Sequence, residues 1–449
     1  MRAKTESQTR VGIYADDLTG ALDAAAPFAA AGMSTYVSVF GVVPDEVADQ
    51  YRVLSLNVDT RHGDKFPVFD KAARAAGQLR AAGFDFLVNK IDSTLRGHAG
   101  MEARAGLSSE PADPRNSAPG AGWAGPRLAL IAPSFPAMGR VVIDRCVRVN
   151  GVPLAESEVG LDPLSPVSSS DIVELIEANT GIRPAVVTLD DVRCEGRLKA
   201  VVAELVESPP TLAVCEAETD DDLDAIAAAV LNTHTNMRGS VILAGSAGAT
   251  TALARALSDQ NVDHLPRSER GRTGRLRAPV FAVSGSQRSV TERQLKRAAE
   301  ERNVAWIMVD PYALLAPDSA DELRDDTVGR VVQELELGRH VAVSLLRSED
   351  SGAGDGKTRT RLVRELGAIC YRVARRTQPG ALVLIGGDTA QGALRAAGAA
   401  GIVLDAEPFP GIPAGTVDGG LLAGVPIVTK AGAFGDDGVL IDVIDFLGG

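Results

Sequence analysis

The sequence predicts an α/β fold in two domains, and three observations predict it. Short apolar runs, each closed by turn residues and followed by a helical pattern, recur along the chain: "VGIYADD", "FDFLVNK", "LALIAPS", "SVILAGS", "VFAVSGS", "VAVSLL" and "ALVLIGG". That alternation marks largely parallel sheets flanked by helices. The chain has 449 residues, long for a single core. Residues 258–278, "SDQNVDHLPRSERGRTGRLRA", are polar, basic and without apolar periodicity, so they read as a linker. The expected organisation is a domain over 1–258, a linker over 259–278 and a second domain over 279–449.

Composition narrows the function classes. Apolar residues make up 45% of the chain and aromatics only 4%, so the cores must pack through Ala, Val, Leu and Gly. The 46 basic and 59 acidic residues leave a formal charge of −13, which argues against a general nucleic-acid or anionic-membrane surface but not against a small anionic ligand. Cys146, Cys194, Cys215 and Cys370 form no CxxC, and His62, His98, His234, His264 and His340 form no HxxxH. No structural zinc site is expected, and dispersed cysteines fit a reducing, cytoplasmic setting. The polar start "MRAKTESQTR" lacks a signal-peptide core, and no apolar stretch approaches the roughly 20 residues of a membrane span.

In a parallel α/β sheet, ligands collect beyond the C-terminal ends of the strands, where the turns sit. The first such turn follows "VGIY". There Asp16 and Asp17 precede "LTGALDAAA", whose Leu18, Ala21, Leu22 and Ala25 keep helical spacing. A single acid suffices to cap that helix. The second acid is left to face the crevice, and which does which stays open. The next turn, "NKIDSTLRGHAGME", gathers Lys90, Asp92, Ser93, Thr94 and Arg96 before Gly97. Cations for a carboxylate and acid or hydroxyl groups for alcohols are the mixture a hydroxy acid would need. Arg96 could equally pair with Asp92 and serve structure alone. "APSFPAMGR" ends in Arg140, within reach of an anion, and "SSEPADPRNSAPGAGWAGP" (108–126) reads as a surface insertion.

In the second half, "ALVLIGGDTAQGALRAAGA" places Gly386 and Gly387 after a strand, with Asp388 or Thr389 opening a helix. Glycines let an anion approach the backbone, and the helix N-terminus offers N–H groups. "VSGSQRSVTERQ", with Ser284, Ser286 and Ser289, gives a second hydroxyl-rich helix start, and "EPFPGIPAG" and "TKAGAFGDDG" read as glycine-rich loops around apolar strands. "SGAGDGKT" (351–358) imitates a GxxxxGK[ST] phosphate loop but has Ser351 in place of its first glycine and stands off its strand, so it reads as a decoy. No GxGxxG follows a strand, which disfavours a nicotinamide-dependent dehydrogenase.

Together "ADDLTGALDAA", "KIDSTLRGHAGME", "APSFPAMGR", "NGVPLAESEVGLDPLSPV", "SGSQRSVTERQ", "GGDTA", "EPFPGIPAG" and "TKAGAFGDDGVL" resemble the four-carbon acid sugar kinase family, in family order from about residue 10 to 445. The resemblance implies a sugar-acid-binding N-terminal domain, a nucleotide-binding C-terminal domain and an active site in the cleft between them. It implies ATP with Mg²⁺ and phosphorylation of the terminal hydroxyl of an acid such as erythronate, threonate or 3-oxo-tetronate. The alternatives are a kinase for another sugar acid, branched or oxidised, and a sensor that binds acid and nucleotide without turnover. By motif, Asp16, Asp17, Lys90, Asp92, Ser93, Arg96 and Arg140 would line the substrate side, with a carboxylate of the Asp16/Asp17 pair as base. Ser286, Ser344, Gly386, Gly387, Asp388, Thr389 and Gly432 would line the ATP side, with Asp388 capping its helix or holding the metal through water. No dedicated protein metal site, nucleic acid or membrane partner is implied, and a homodimer is compatible. The chain departs from the family's usual pattern at His98, Met138, "VVIDRCVRVNG" and the lengthened 108–126 connection, all on the substrate side.

Overall fold

The computed structural model describes residues 9–44, 46–61, 65–108, 125–161, 167–258, 279–347 and 356–448. His62, the 109–124 part of the insertion, the linker 259–278 and residues 351–355 of the decoy loop lie outside them. The chain divides into two compact units, Met1–His264 and Leu265–Gly449.

The strands of the first unit are, in chain order, β1 (Val11–Ala15), β2 (Thr35–Ser38), β3 (Val53–Asn57), β4 (Phe86–Lys90), β5 (Leu128–Ala132), β6 (Arg140–Ile143), β7 (Cys146–Val149), β8 (Val152–Pro153), β9 (Ala185–Val187), β10 (Thr211–Cys215) and β11 (Val241–Gly245). Among the described residues, eight form one parallel sheet in the order β2-β3-β1-β4-β11-β5-β10-β9. The central strands β1, β3, β4, β5 and β11 are buried at every position, as strands covered on both faces must be. Among the unit's aromatics, Tyr14, Phe28, Phe84 and Phe86 are almost fully buried. Strands β6, β7 and β8 form a separate antiparallel sheet that starts at Arg140. The chain leaves β1 for β2 and β3 on one side and then crosses to β4 on the other. This reversal opens a crevice at the carboxyl ends of β1 and β4. Three helices frame it: α1 (Leu18–Ala30), α2 (Lys65–Ala81) and α3 (Ala99–Leu107).

The second unit continues with β12 (Val280–Ser284), β13 (Ala305–Val309), β14 (Val341–Leu345), β15 (Ala381–Ile385), β16 (Gly401–Phe409), β17 (Ile412–Asp418) and β18 (Pro426–Lys430). Their order is β13-β14-β12-β15-β18-β17-β16. The first five of that order are parallel, whereas β18, β17 and β16 pair antiparallel. Strand order reverses between β12 and β15, giving this unit a switch point of its own. The core beneath it joins Val280, Ala282, Val383, Ile385 and Val428 to Leu440, Val443 and Ile444 of the last helix. "EPFPGIPAG", expected as a loop, is instead the β16–β17 hairpin, with Phe409 opposite Ile412. Among the described residues no helix is long and apolar enough to cross a membrane.

Candidate active site

The two acids after β1 take different parts. Asp17 is the N-cap of α1, its backbone extended and its Oδ1 accepting the Gly20 N–H at 2.6 Å. Asp16 is 2% exposed, and its two oxygens accept a fork from Arg61, at 2.7 Å from Nε and 2.8 Å from Nη2. Arg61 Nη1 also donates to Asp17. The Asp16 carbonyl accepts the N–H groups of Thr60 and Arg61, at 2.9 and 3.2 Å, which fixes the loop after β3 against the end of β1. Burial raises the pKa of Asp16, with Arg61 opposing. Burial acts against the charge of Arg61 too, but Asp16, Asp17 and Asp92 hold its pKa well above the usual value.

After β4, Lys90 is buried and donates Nζ to the Ile91 carbonyl at 3.1 Å. It also meets the acids. A Cβ on Gly20 would lie 2.8 Å from Asp17 Oδ1, 3.3 Å from Lys90 Nζ and 3.5 Å from Asp16 Oδ1, so glycine keeps this cradle open. Asp92 accepts a fork from Arg96, at 2.9 and 2.8 Å, and the Thr94 N–H and hydroxyl. Against burial, which would raise it, those bonds and the Arg96 and Arg61 charges hold the Asp92 pKa far below the carboxylate range. Arg96 therefore has the pairing its spacing allowed, a salt bridge to Asp92. Ser93 lies in the same turn, half-buried. Arg140 donates Nη1 to the Met138 carbonyl at 3.0 Å, while its buried Nε has no partner among the described residues. Burial lowers its pKa, with the nearby Asp92 raising and Arg96 lowering it, so it shares their field. Asp59 and Leu95 adopt φ of 56° and 57° in the loops that carry Arg61 and Arg96, local strain of the kind that collects at binding sites.

Neither Arg61 nor Glu102 is among the residues expected from the sequence. Arg61 stands in "NVDTR", just past the end of β3, the signal that marked Asp16 and Lys90 at their own strand ends. Glu102 sits with Ala99, Ala103 and Gly106 on the buried stripe of α3, where an acid is out of place. It accepts the Thr60 hydroxyl at 2.5 Å, and burial followed by the charge of Asp16 pushes its pKa up to about 8.

In the second unit the expected residues meet at the β12/β15 reversal. Gly386, at φ 101°, is the N-cap of the helix Gly387–Ala396. Thr389, in its first turn, is buried and accepts the Gly285 N–H at 3.1 Å. Asp388 does not cap this helix; it pairs at 2.5 Å with Arg359 of the helix Gly356–Arg376. Ser286 exchanges a hydrogen bond with Thr291 at 2.9 Å, and Thr291 donates to the Gly432 carbonyl at 2.8 Å. A Cβ on Gly432 would fall 2.3 Å from Ser286 Oγ. Ser344, on the neighbouring β14, is held by the Trp306 indole at 2.8 Å. Lys430, which is not among the residues expected from the sequence, ends β18 beside the glycine turn.

Models of two domain families match the chain, a sugar-binding N-terminal domain over residues 11–253 and a nucleotide-binding C-terminal domain over 281–440. A D-threonate kinase of Bordetella bronchiseptica is 30% identical over 441 residues, covering 96% of each chain. A D-erythronate kinase of Heliobacterium modesticaldum is 27% identical over 467 residues, covering 98% of this chain and 97% of its own. A crystal structure of a Salmonella typhimurium LT2 protein shares the fold, with a TM-score of 0.75 at 20% identity over 97% of this chain and 99% of that one.

Proposed function

We propose a reaction for this chain from the premise that it belongs to the four-carbon acid sugar kinase family, whose two domain models match most of its length. As a member it is a phosphotransferase acting on a sugar acid. We infer that it transfers the terminal phosphoryl group of ATP to the terminal hydroxyl of a four-carbon acid of the threonate, erythronate or 3-oxo-tetronate type. The observation that carries it is the cluster at the β1/β4 crevice. Around Asp16, Asp17 and Asp92 stand four cations, Arg61, Arg96, Arg140 and Lys90, and Arg140 keeps a buried donor without a partner among the described residues. That surplus suits a carboxylate ligand, while the acids suit its hydroxyls.

In this reading Lys90 and Arg140 take the acid's carboxylate, and Arg96 stays with Asp92 to shape the turn. Asp17 is spent on its helix. Asp16 is the base: the Arg61 fork favours its carboxylate, while burial raises its affinity for a proton, both of which a general base needs. As the alcohol oxygen bonds to phosphorus, its proton passes to Asp16 and the phosphorus–oxygen bond to ADP breaks.

The second unit's residues fit a nucleotide. Gly386, at φ 101°, makes a turn that favours glycine, Gly432 lets Ser286 pack against its backbone, and the helix from Gly387 turns its N-terminal N–H groups to the same place. Asp388 is the carboxylate at that turn; released from its ion pair with Arg359 it would hold Mg²⁺ through water, and the ion would neutralise phosphate charge. An ADP-release screen over four- to six-carbon acids tests the proposal. One or more four-carbon acids should release ADP, and Asp16→Asn should cut turnover at least a hundredfold while acid binding persists. Silence across the panel would favour a sensor, and undiminished turnover by Asp16→Asn would remove it as the base.

A further inference from the structure

Lys430 ends β18, flanked by β15 and β17, and is 3% exposed. Its backbone carbonyl accepts the Gly386 N–H at 2.8 Å, so it stands beside the glycine turn. Its Nζ donates to the carbonyls of Ala431 and Phe434, at 3.1 and 2.9 Å, beneath the loop that carries Gly432 against Ser286. An ammonium has three protons to donate, and these two acceptors are uncharged. The carboxylates of the surrounding elements are engaged elsewhere. Asp388 pairs with Arg359, Asp437 pairs with Arg293, and Asp436 accepts the Gly438 N–H at 2.9 Å. Among the described residues none forms an ion pair with Lys430, and burial alone draws its pKa down to about 8.

A buried cation without a counter-charge is costly, and proteins retain one where a ligand supplies the charge. We propose that Lys430 binds the polyphosphate of the nucleotide in the second unit, its ammonium donating to a phosphate oxygen brought to the Gly386 turn. This rests on the nucleotide reading above and adds to it the cation that the helix N-terminus and glycines do not supply. A lysine acts here as a point charge, free of the planar geometry that an arginine would impose.

The test is calorimetric titration of the full chain with ATP, ADP and adenosine, for wild type, Lys430→Met and Lys430→Arg, with melting temperatures recorded alongside. In Lys430→Met, ATP and ADP affinity should fall at least tenfold while adenosine affinity stays within twofold. At pH 8.5, titration in two buffers of different ionisation enthalpy should show proton uptake as ATP binds wild type, because the phosphate recharges the amine. That uptake should vanish in Lys430→Arg, which stays charged and still binds ATP, so this arm decides the matter even if Lys430→Met does not fold. Unchanged ATP affinity in Lys430→Met, equal losses for ATP and adenosine, or uptake persisting in Lys430→Arg would each overturn the proposal. Wild type that binds no ATP would instead overturn the nucleotide reading beneath it.

Discussion

Glu102→Gln should make the protein more stable as pH rises. Glu102 is 2% exposed on the inner face of α3, and burial with the charge of Asp16 pushes its pKa from 4.5 to about 8, against the opposing Thr60 hydroxyl, Arg61 and Asn89. Below pH 4.5 the acid is protonated in both folded and unfolded chains and contributes nothing to the pH dependence. Between 4.5 and about 8 the folded protein holds a proton that the unfolded chain has lost, so stability falls as pH rises through that window. Each pH unit is worth about 1.4 kcal/mol, which sets a ceiling of about 5 kcal/mol on the penalty above pH 8. Glutamine has nearly the same shape, keeps a carbonyl oxygen for the Thr60 hydroxyl and never ionises. In a unit of this size, roughly 2–4 °C of melting temperature accompany each kcal/mol. Thermal melts from pH 5 to 9 at constant ionic strength should therefore show the variant drawing level with wild type near pH 5. By pH 9 it should melt several degrees higher. Parallel curves, or a variant that melts below wild type at pH 9, would refute the assignment of a proton to Glu102.

Arg61→Met leaves the Asp16 carboxylate buried without its fork and should cost about 3–5 kcal/mol in urea unfolding, with much of that loss recovered on adding Asp16→Asn; a loss under about 1 kcal/mol would show that the pair is not what holds the loop after β3. Arg61→Lys should rescue little, since an ammonium cannot reproduce the two-point contact. Lys357→Ala, at an exposed position in the helix Gly356–Arg376, should leave ATP affinity within twofold in equilibrium binding; a collapse would return the phosphate cradle to the stretch before that helix.

The strands named from the sequence are all strands in the fold, because strands buried on both faces show themselves as continuous apolar runs whatever their neighbours. The hairpin β16–β17 escaped because Pro408, Pro413, Gly411 and Gly415 have the composition of a loop. Its identity lies in the pairing of its two arms, such as Ala406 with Ala414, rather than in the composition of either. The same limit governs the site. "DD" at a strand end announced a cap and a second acid, and Asp17 does cap its helix. The cation that sustains Asp16 arrives from 45 residues away, across the β1–β3 pairing. Arg96 was ambiguous for the opposite reason, since its partner Asp92 is only four residues off and a local bond competes with any ligand. Burying two adjacent carboxylates beside each other is unfavourable unless a cation lies between them. In a parallel sheet the nearest source of that cation is the end of an adjoining strand, which opens on the same crevice. Once "VLSLN" is taken as the strand beside "VGIYA", its trailing "VDTR" offers that cation, and the search that finds Arg61 is one for the next strand end, not for a third acid.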